Sequence, residues 1–271
     1  DTLNTCFNTP LDIGCIKVPY YYWSYFLCGA TDPSEWELKF DVADRYGHRQ
    51  VEYKDIEEVV KNLRIDAPKR TTVVFVIHGF GKSESEWPEQ MQTKNLQRGR
   101  RIVIVPNWLG GQYYGYFPYN YWRAVSNTRV MGAIISKLIE IMVDNHDIPS
   151  ERFQLIGFSL GAQTAGFAGK RFGHVTNLKV GAILALDPAG PLFGEVHLTK
   201  EDARYVEVIH TSGGNIYRGD GFSSLEQMGN VDFYVNGGVL QPECSVPGKN
   251  PITRYWDDTS DKSCKFHCSH C

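Results

Sequence analysis

Apolar and polar positions divide the chain into short apolar runs separated by amphipathic or polar stretches. Two continuous, β-branched runs, residues 71–77 and 101–105, are typical of strands that are buried on both faces of a parallel sheet. Apolar residues recur at helical spacing over 127–144, which predicts an amphipathic helix. Further strands are predicted at 36–42, 153–156, 179–186, 205–209 and 231–235. Strands that alternate with helical stretches predict an α/β fold, with a mostly parallel central sheet and helices on both faces.

Length and charge limit the possible classes of function. A chain of 271 residues is long enough for one α/β domain, and we expect residues 1–271 to form a single domain. The formal net charge of −3 provides no basic field, so no nucleic-acid partner is expected. No apolar run approaches the roughly 18 residues of a transmembrane helix. No signal peptide is visible at Asp1, so we expect the numbering to begin at a mature N-terminus.

The seven cysteines cluster at the two ends of the chain. Three lie within residues 1–35, and four lie beyond residue 240: Cys6, Cys15, Cys28, Cys244, Cys264, Cys268 and Cys271. This clustering favours disulfides and therefore a secreted, extracellular protein, with residues 1–35 as a stapled segment on the domain. In a cytosolic chain, the alternation of Cys and His over 264–271 would instead indicate a zinc cluster.

A nucleophile pattern lies at the centre of the chain. Gly157-Phe158-Ser159-Leu160-Gly161 has the form G-x-S-x-G and follows an apolar run, and the stretch after it is rich in Ala and Gly. A serine hydroxyl is a weak nucleophile unless a sharp strand-to-helix turn exposes it next to a base. Small residues on either side leave room for that turn, so Ser159 is the candidate nucleophile.

The acid and the base are sought downstream, because enzymes with this turn carry them in the order Ser, acid, His. Asp187 closes an apolar strand and precedes a proline, which makes it the candidate acid. His210 ends a strand, and a packing or hydrogen-bonding role is expected for it. His267 and His270 remain equal candidates for the base. The carboxyl ends of parallel strands form the ligand site in such sheets, and the segment 78–80 also ends a strand there.

Six motifs together resemble the catalytic domain of the pancreatic lipase family, in the order found there. They lie at 77–80, 155–162, 186–193, 208–211, 231–238 and 268–270, and the resemblance covers roughly residues 36–271. It implies an α/β-hydrolase fold, with Ser159 as nucleophile, Asp187 as acid and His270 as base. It also implies an oxyanion hole that is formed by the backbone N–H groups of Phe80 and Leu160.

The resemblance implies a secreted serine hydrolase that cleaves fatty-acyl esters of glycerolipids at a lipid–water interface. Residues 245–267 would be the lid, closed by a Cys244–Cys268 disulfide, and the excess of cysteines at both ends suggests a further Cys6–Cys15 bond. The lengths of this loop and of the loop 211–231 resemble those of triacylglycerol lipases. The alternatives are a phospholipase A1 and a non-catalytic lipid-binding or yolk-type relative. Three apolar residues of the lid are spaced to share one face of a short helix, and a simple packed loop is an equal alternative: Ile252, Tyr255 and Trp256.

Departures from the family pattern add three expectations. Family members carry a calcium site after the acid, but only Asp202 clearly matches it and His197 lies near the position of an Arg, so neither a metal nor a cofactor is expected. The C-terminal β-sandwich of larger lipases has no counterpart in the sequence. The family normally continues beyond the base, whereas this sequence stops one residue after His270, so we expect weak activity or none from the 271-residue chain.

Overall fold

The fold is α/β, as predicted, with an eight-stranded central sheet. The computed structural model describes residues 2–7, 10–19, 29–81, 86–112, 119–214, 221–239 and 241–242. Ten strands are present in this part of the chain: β1 (Thr2–Cys6), β2 (Cys15–Pro19), β3 (Lys39–Asp44), β4 (Gly47–Glu52), β5 (Thr72–Ile77), β6 (Arg101–Asn107), β7 (Phe153–Phe158), β8 (Ala182–Leu186), β9 (Tyr205–His210) and β10 (Val231–Tyr234).

Four α-helices and seven short 3₁₀ segments complete the described elements. The helices are α1 (Ile56–Lys61), α2 (Trp87–Leu96), α3 (Tyr119–His146) and α4 (Leu160–Thr176). The 3₁₀ segments are Pro33–Glu35, Tyr53–Asp55, Pro68–Arg70, Leu109–Gly111, Ser150–Arg152, Lys200–Asp202 and Val235–Gly238. No helix among the described residues has the length and apolar character that crossing a membrane requires.

The strand order is β10-β9-β8-β7-β5-β6-β3-β4. Strands β5 to β10 run parallel to their neighbours within this group, whereas β3 pairs antiparallel with both β4 and β6. The carboxyl ends of β5, β7 and β8 therefore meet at one edge of the sheet. The loops that follow these three strands carry the residues that the sequence predicts for the site.

Both faces of the sheet are covered, which explains the continuous apolar runs. Along β5, Val73, Phe75 and Ile77 belong to the large core cluster, which also contains buried residues of α1, α3 and α4. Their neighbours Val74 and Val76 point to the opposite face, into a smaller cluster with residues of α2. Because successive side chains of a strand alternate between faces, a strand covered on both sides has no polar face.

Edge strands were harder to predict than central strands. Strand β4 was missed because it lies at the sheet edge, where Val51 is its one buried residue. The strand predicted at 36–42 begins only at Lys39, since Trp36 caps a 3₁₀ turn and its indole Nε1 donates to Thr31 Oγ1 at 2.9 Å. Strand β6 extends two residues beyond the apolar run 101–105 and includes Pro106. Pro106 lies beyond Ile104, the last residue of β6 that pairs with β5.

Three helical features also differ from the prediction. Helix α3 begins at Tyr119 and not at residue 127. Several buried residues in its first turns are polar, such as Asn120 and Asn127, so the sequence there lacks the apolar spacing that predicts a helix. Helices α1 and α2 were not predicted. The first is short, and the second is mostly polar, with Gln92 and Asn95 among its buried residues.

The N-terminal segment is a two-stranded antiparallel hairpin of β1 and β2 that a disulfide joins. Cys6 pairs with Cys15 in register, and the two sulfur atoms are bonded. This confirms the predicted Cys6–Cys15 bond. Ile16 and Val18 of the hairpin belong to the large core cluster, so the segment packs on the domain.

We expect Gly161→Ala to destabilise the fold strongly. A Cβ at Gly161 would lie 2.1 Å from the carbonyl oxygen of Ile77, so α4 would have to move away from β5. Overpacking of this kind costs roughly 1–3 kcal/mol or more. Chemical denaturation of the purified variant would measure the free energy of unfolding.

Gly173→Ala is the matched control in the same helix. A Cβ there would meet the Leu178 carbonyl oxygen at an ordinary 3.4 Å, and the change should stabilise α4 by about 0.5–1 kcal/mol. Equal stability losses for the two variants would show that the contact between α4 and β5 is not the constraint.

Candidate active site

Ser159 occupies a strained turn between β7 and α4. Its backbone angles are φ 54° and ψ −116°, in a region that L-residues rarely adopt at a cost of about 1–3 kcal/mol. The neighbouring sheet holds this turn, because the Ser159 N–H donates to Leu186 O at 2.9 Å and Ser159 O accepts from Ala189 N at 3.3 Å. The predicted strand, sharp turn and helix around Ser159 are therefore present.

The two glycines of the motif are required by close backbone approach. A Cβ on Gly157 would lie 2.2 Å from Gly161 O, and a Cβ on Gly161 would lie 2.1 Å from Ile77 O. The turn thus brings the start of α4 against both its own strand and the end of β5. As a result, Ser159 lies beside the loop that follows β5.

The loop after β5 lies against Ser159 and carries Phe80. A Cβ on Gly79 would be 2.9 Å from the Ser159 Cβ, so the two chain segments are in direct contact. The Phe80 ring packs edge-on against Tyr121 of α3, with ring centroids 5.4 Å apart. Leu160, fully buried, is the first residue of α4, where backbone N–H groups have no intrahelical acceptor and the helix dipole is positive. The oxyanion-hole role of Phe80 and Leu160 stays a prediction.

Asp187 follows β8 next to Ser159, and both of its carboxylate oxygens accept hydrogen bonds. Leu186 pairs with Phe158 across the sheet, so the acid and the nucleophile follow adjacent strands at the same level. The Asp187 Oδ1 accepts the N–H groups of Thr211 and Ser212, at 2.8 and 2.9 Å, and Oδ2 accepts the Ser223 hydroxyl at 2.5 Å. These three donors fix the orientation of the carboxylate.

The base and the lid lie outside the described residues. This applies to His270 and to the alternative base His267, to the Cys244–Cys268 disulfide, and to the three apolar lid residues Ile252, Tyr255 and Trp256. These assignments stay predictions. The structure brings together Ser159, Asp187, Phe80 and Leu160 of the predicted site.

His210 has the hydrogen-bonding role that its position at a strand end predicts. The fully buried ring lies between Ser224 O, 2.8 Å from Nδ1, and Asp232 Oδ1, 2.9 Å from Nε2. It also stacks on Tyr234 with centroids 4.4 Å apart. His210 therefore connects β9, β10 and the segment that supplies Ser223.

Sequence reasoning missed two polar residues of the site. Ser223 lies in a Gly-rich loop, where its bond to Asp187 depends on a chain reversal that leaves no local pattern. Gln112 is fully buried beneath the Phe80 loop, where it accepts from Gly81 N at 2.6 Å and donates to Gly79 O at 3.0 Å. A Gln after two glycines in an aromatic loop was the available signal for it.

Comparison with known proteins supports the same family as the motifs. The sequence profile of the family described as Lipase matches residues 34–269. The chain is 36% identical over 188 residues to phospholipase A1 1 of Vespa affinis, and this alignment covers 65% of this chain and 53% of that protein. It is 39% identical over 201 residues to pancreatic lipase-related protein 2 of Sus scrofa, and this alignment covers 72% of this chain and 39% of that protein.

Both relatives are longer than the matched region. The chain spans about half the length of the first relative and less than half the length of the second. Among solved structures, the crystal structure of esterase PE8 is similar over 54% of this chain and 72% of its own, with a TM-score of 0.39 and 14% identity.

At the position that resembles the family's calcium site, Asp202 forms an ion pair with the Lys170 ammonium group. Asp202 Oδ1 accepts from Lys170 Nζ at 2.8 Å, and Oδ2 accepts from Thr199 N at 2.8 Å. The His197 ring lies against Leu198 O and Glu226. No group of three or more metal-type ligands is present in the described part of the chain. The residues here do not fit a calcium ion.

Lys170→Met should reduce stability in a pH-dependent manner. Burial raises the pKa of Asp202, although Lys170 opposes this, so removing the ammonium leaves a buried carboxylate unpaired at neutral pH. We expect a loss of about 1–3 kcal/mol at pH 7. A raised carboxyl pKa means that the folded state holds the proton more tightly, so protonation should reduce the loss as the pH falls towards 4.

Urea denaturation at several pH values would measure this effect. The control is the double variant Lys170→Met/Asp202→Asn, which leaves no buried charge and should lose less at pH 7 than the single variant. A loss that is independent of pH would exclude the ion pair as its cause.

Proposed function

Since the chain belongs to the lipase family, we propose that it is a secreted serine carboxylic-ester hydrolase that cleaves fatty-acyl esters of glycerolipids. The observation that carries the proposal is the position of Ser159, at a positive-φ turn against Gly79 and level with Asp187. Strain at such a residue persists where the surrounding structure fixes it, and this occurs mainly at functional sites.

The proposed reaction is acyl transfer through a covalent intermediate. Ser159 Oγ attacks the ester carbonyl carbon while its proton passes to the imidazole of His270, and Asp187 stabilises the imidazolium that forms. The N–H groups of Phe80 and Leu160 donate to the oxyanion. Collapse of the tetrahedral intermediate breaks the ester C–O bond, and the imidazolium returns the proton to the leaving alcohol. Water then hydrolyses the acyl-enzyme by the same route.

The geometry of Asp187 supports its role as the acid. Its carboxylate oxygens accept from three protein groups, which hold the carboxylate in one orientation. A loosely held carboxylate would have to reorganise during the reaction, which raises the barrier.

A triacylglycerol is the proposed substrate, at a lipid–water interface. The support is the length of the predicted lid loop, 245–267, and of the loop 211–231, which resemble those of triacylglycerol lipases. The second candidate is phospholipase A1 activity, because relatives with that name share more than a third of the aligned residues with this chain.

Secretion is supported by the redox state of the N-terminal hairpin. The Cys6–Cys15 disulfide is a feature that persists in oxidising compartments and is rare in the cytosol. The remaining cysteines cluster near the end of the chain and agree with the same environment.

We expect Ser159→Ala to lower ester hydrolysis by several orders of magnitude and to leave the fold intact. Covalent labelling by an organophosphate should disappear with it. Ser136→Ala is the matched control, because that buried serine of α3 bonds Glu140 at 2.9 Å and has no role in the proposed site. Labelling that persists in the Ser159 variant would place the nucleophile elsewhere.

The substrate class is tested by assaying triolein and phosphatidylcholine side by side, each below and above its aggregation point. For a triacylglycerol lipase, we expect the hydrolysis rate with triolein to rise at aggregation and to exceed that with phosphatidylcholine. The reverse ranking would make the protein a phospholipase A1. Hydrolysis of neither lipid, without serine labelling, would indicate a non-catalytic relative.

A further inference from the structure

We propose that Gln112 is a positioning residue of the oxyanion hole, which orients and polarises the peptide group between Gly79 and Phe80. The inference deepens the proposed function and rests on it. Gln112 lies outside all the motifs that identify the site, and it reaches the site from the loop after β6.

The Gln112 side chain brackets Phe80 with two hydrogen bonds. Its Nε2 donates to Gly79 O at 3.0 Å, and its Oε1 accepts from Gly81 N at 2.6 Å. A carbonyl can only accept and a backbone N–H can only donate, so these partners fix which way the amide faces. The side chain is fully buried, so losing either bond would leave a buried polar group unsatisfied.

The bond to Gly79 O acts on the oxyanion donor itself. The Gly79 carbonyl and the Phe80 N–H belong to one planar peptide unit. A donor at the carbonyl oxygen polarises that unit and strengthens donation from its N–H, by roughly 10–30% per bond in chains of hydrogen bonds. Because the unit is planar, fixing the oxygen also fixes the direction of the N–H.

A second donor, His78, reaches the same carbonyl in a defined tautomer. The Trp108 backbone N–H points at His78 Nε2 at 3.3 Å, so this nitrogen accepts. The proton then lies on Nδ1, which is 2.9 Å from Gly79 O and donates to it. The Trp108 indole Nε1 also donates to His78 O at 3.1 Å. Gln112 and His78 therefore both donate to the Gly79 carbonyl.

The turn that carries Gln112 is held by hydrogen bonds and by close packing. Gln112 N donates to Leu109 O at 2.8 Å and closes the 3₁₀ turn Leu109–Gly111. A Cβ on Gly110 would lie 1.8 Å from Trp36 O, so this turn packs directly on the backbone of the segment before β3. Asn127 of α3 donates to Gly111 O at 2.6 Å. A fixed support is what a preorganised oxyanion hole needs.

The test compares Gln112→Leu and Gln112→Glu with the wild-type chain on a water-soluble short-chain ester. Removing one oxyanion-hole donor costs about 10²–10³ in kcat, so misorienting one should cost roughly 10–100-fold. We expect Gln112→Leu to lower kcat by that factor with little change in KM, because the donor acts mainly in the transition state.

The glutamate variant adds a readout that a structural role would not change. A carboxylate accepts from Gly81 N but has no proton for Gly79 O, whereas the protonated acid replaces both bonds. The activity of Gln112→Glu relative to wild type should therefore rise as the pH falls, while the ratio for Gln112→Leu stays flat. Equal, flat ratios for both variants would overturn the inference.

Gln92→Leu is the matched control for loss of a buried glutamine. Gln92 of α2 is also buried and donates to Asp41 O at 3.2 Å, on the sheet and away from the site. This variant should lose a similar amount of stability and keep the wild-type kcat. A fall in kcat equal to that of Gln112→Leu would mean that general destabilisation causes the effect.

An activity-independent measurement separates this inference from the proposed function. In ¹⁵N-labelled protein, we expect the Phe80 amide proton to shift upfield in Gln112→Leu, since its peptide is less polarised, and not in Gln92→Leu. An unchanged Phe80 resonance would contradict the inference even if esters are hydrolysed. Absent hydrolysis by the wild type, with the shift still observed, would contradict the proposed function alone.

Discussion

Close backbone contact at Gly157 and Gly161 is the constraint on which the site depends. With no side chain at either position, the start of α4 lies against β7 and against the carbonyl of Ile77. That contact forces Ser159 into a positive-φ turn and brings it beside Gly79 and Asp187. Sheet hydrogen bonds to Ser159 and the buried face of α4 offset the local strain.

Buried polar side chains extend this arrangement to the loops around the nucleophile. On α4, Gln163 donates to Ala189 O at 2.7 Å and accepts from Leu198 N at 2.8 Å. About two turns further along the helix, Lys170 donates to Asp202. The loop after Asp187 is therefore attached to the helix after Ser159 at successive points.

The same design appears on the other side of Ser159. Gln112 uses both ends of its amide on the loop that carries Phe80, and Ser223 places its hydroxyl on the Asp187 carboxylate. Both side chains are buried and hydrogen-bonded, so displacing either one would be costly. Each also fixes the orientation of the group that it binds. A site built this way is oriented before substrate arrives, which is the main source of electrostatic catalysis.

The sequence by itself determined the α/β class, the central strands, the nucleophile turn and the candidate acid. These features depend on local patterns: continuous apolar runs for strands covered on both faces, and small residues where backbones touch. It did not determine β4, the start of α3, or the contributions of Gln112 and Ser223. An edge strand needs few apolar residues, and a helix buried through polar side chains loses its apolar period. The hydrogen bonds of Gln112 and Ser223 join residues more than 30 positions apart. Only the folded chain brings such partners together, because no spacing along the sequence encodes a contact made across the sheet.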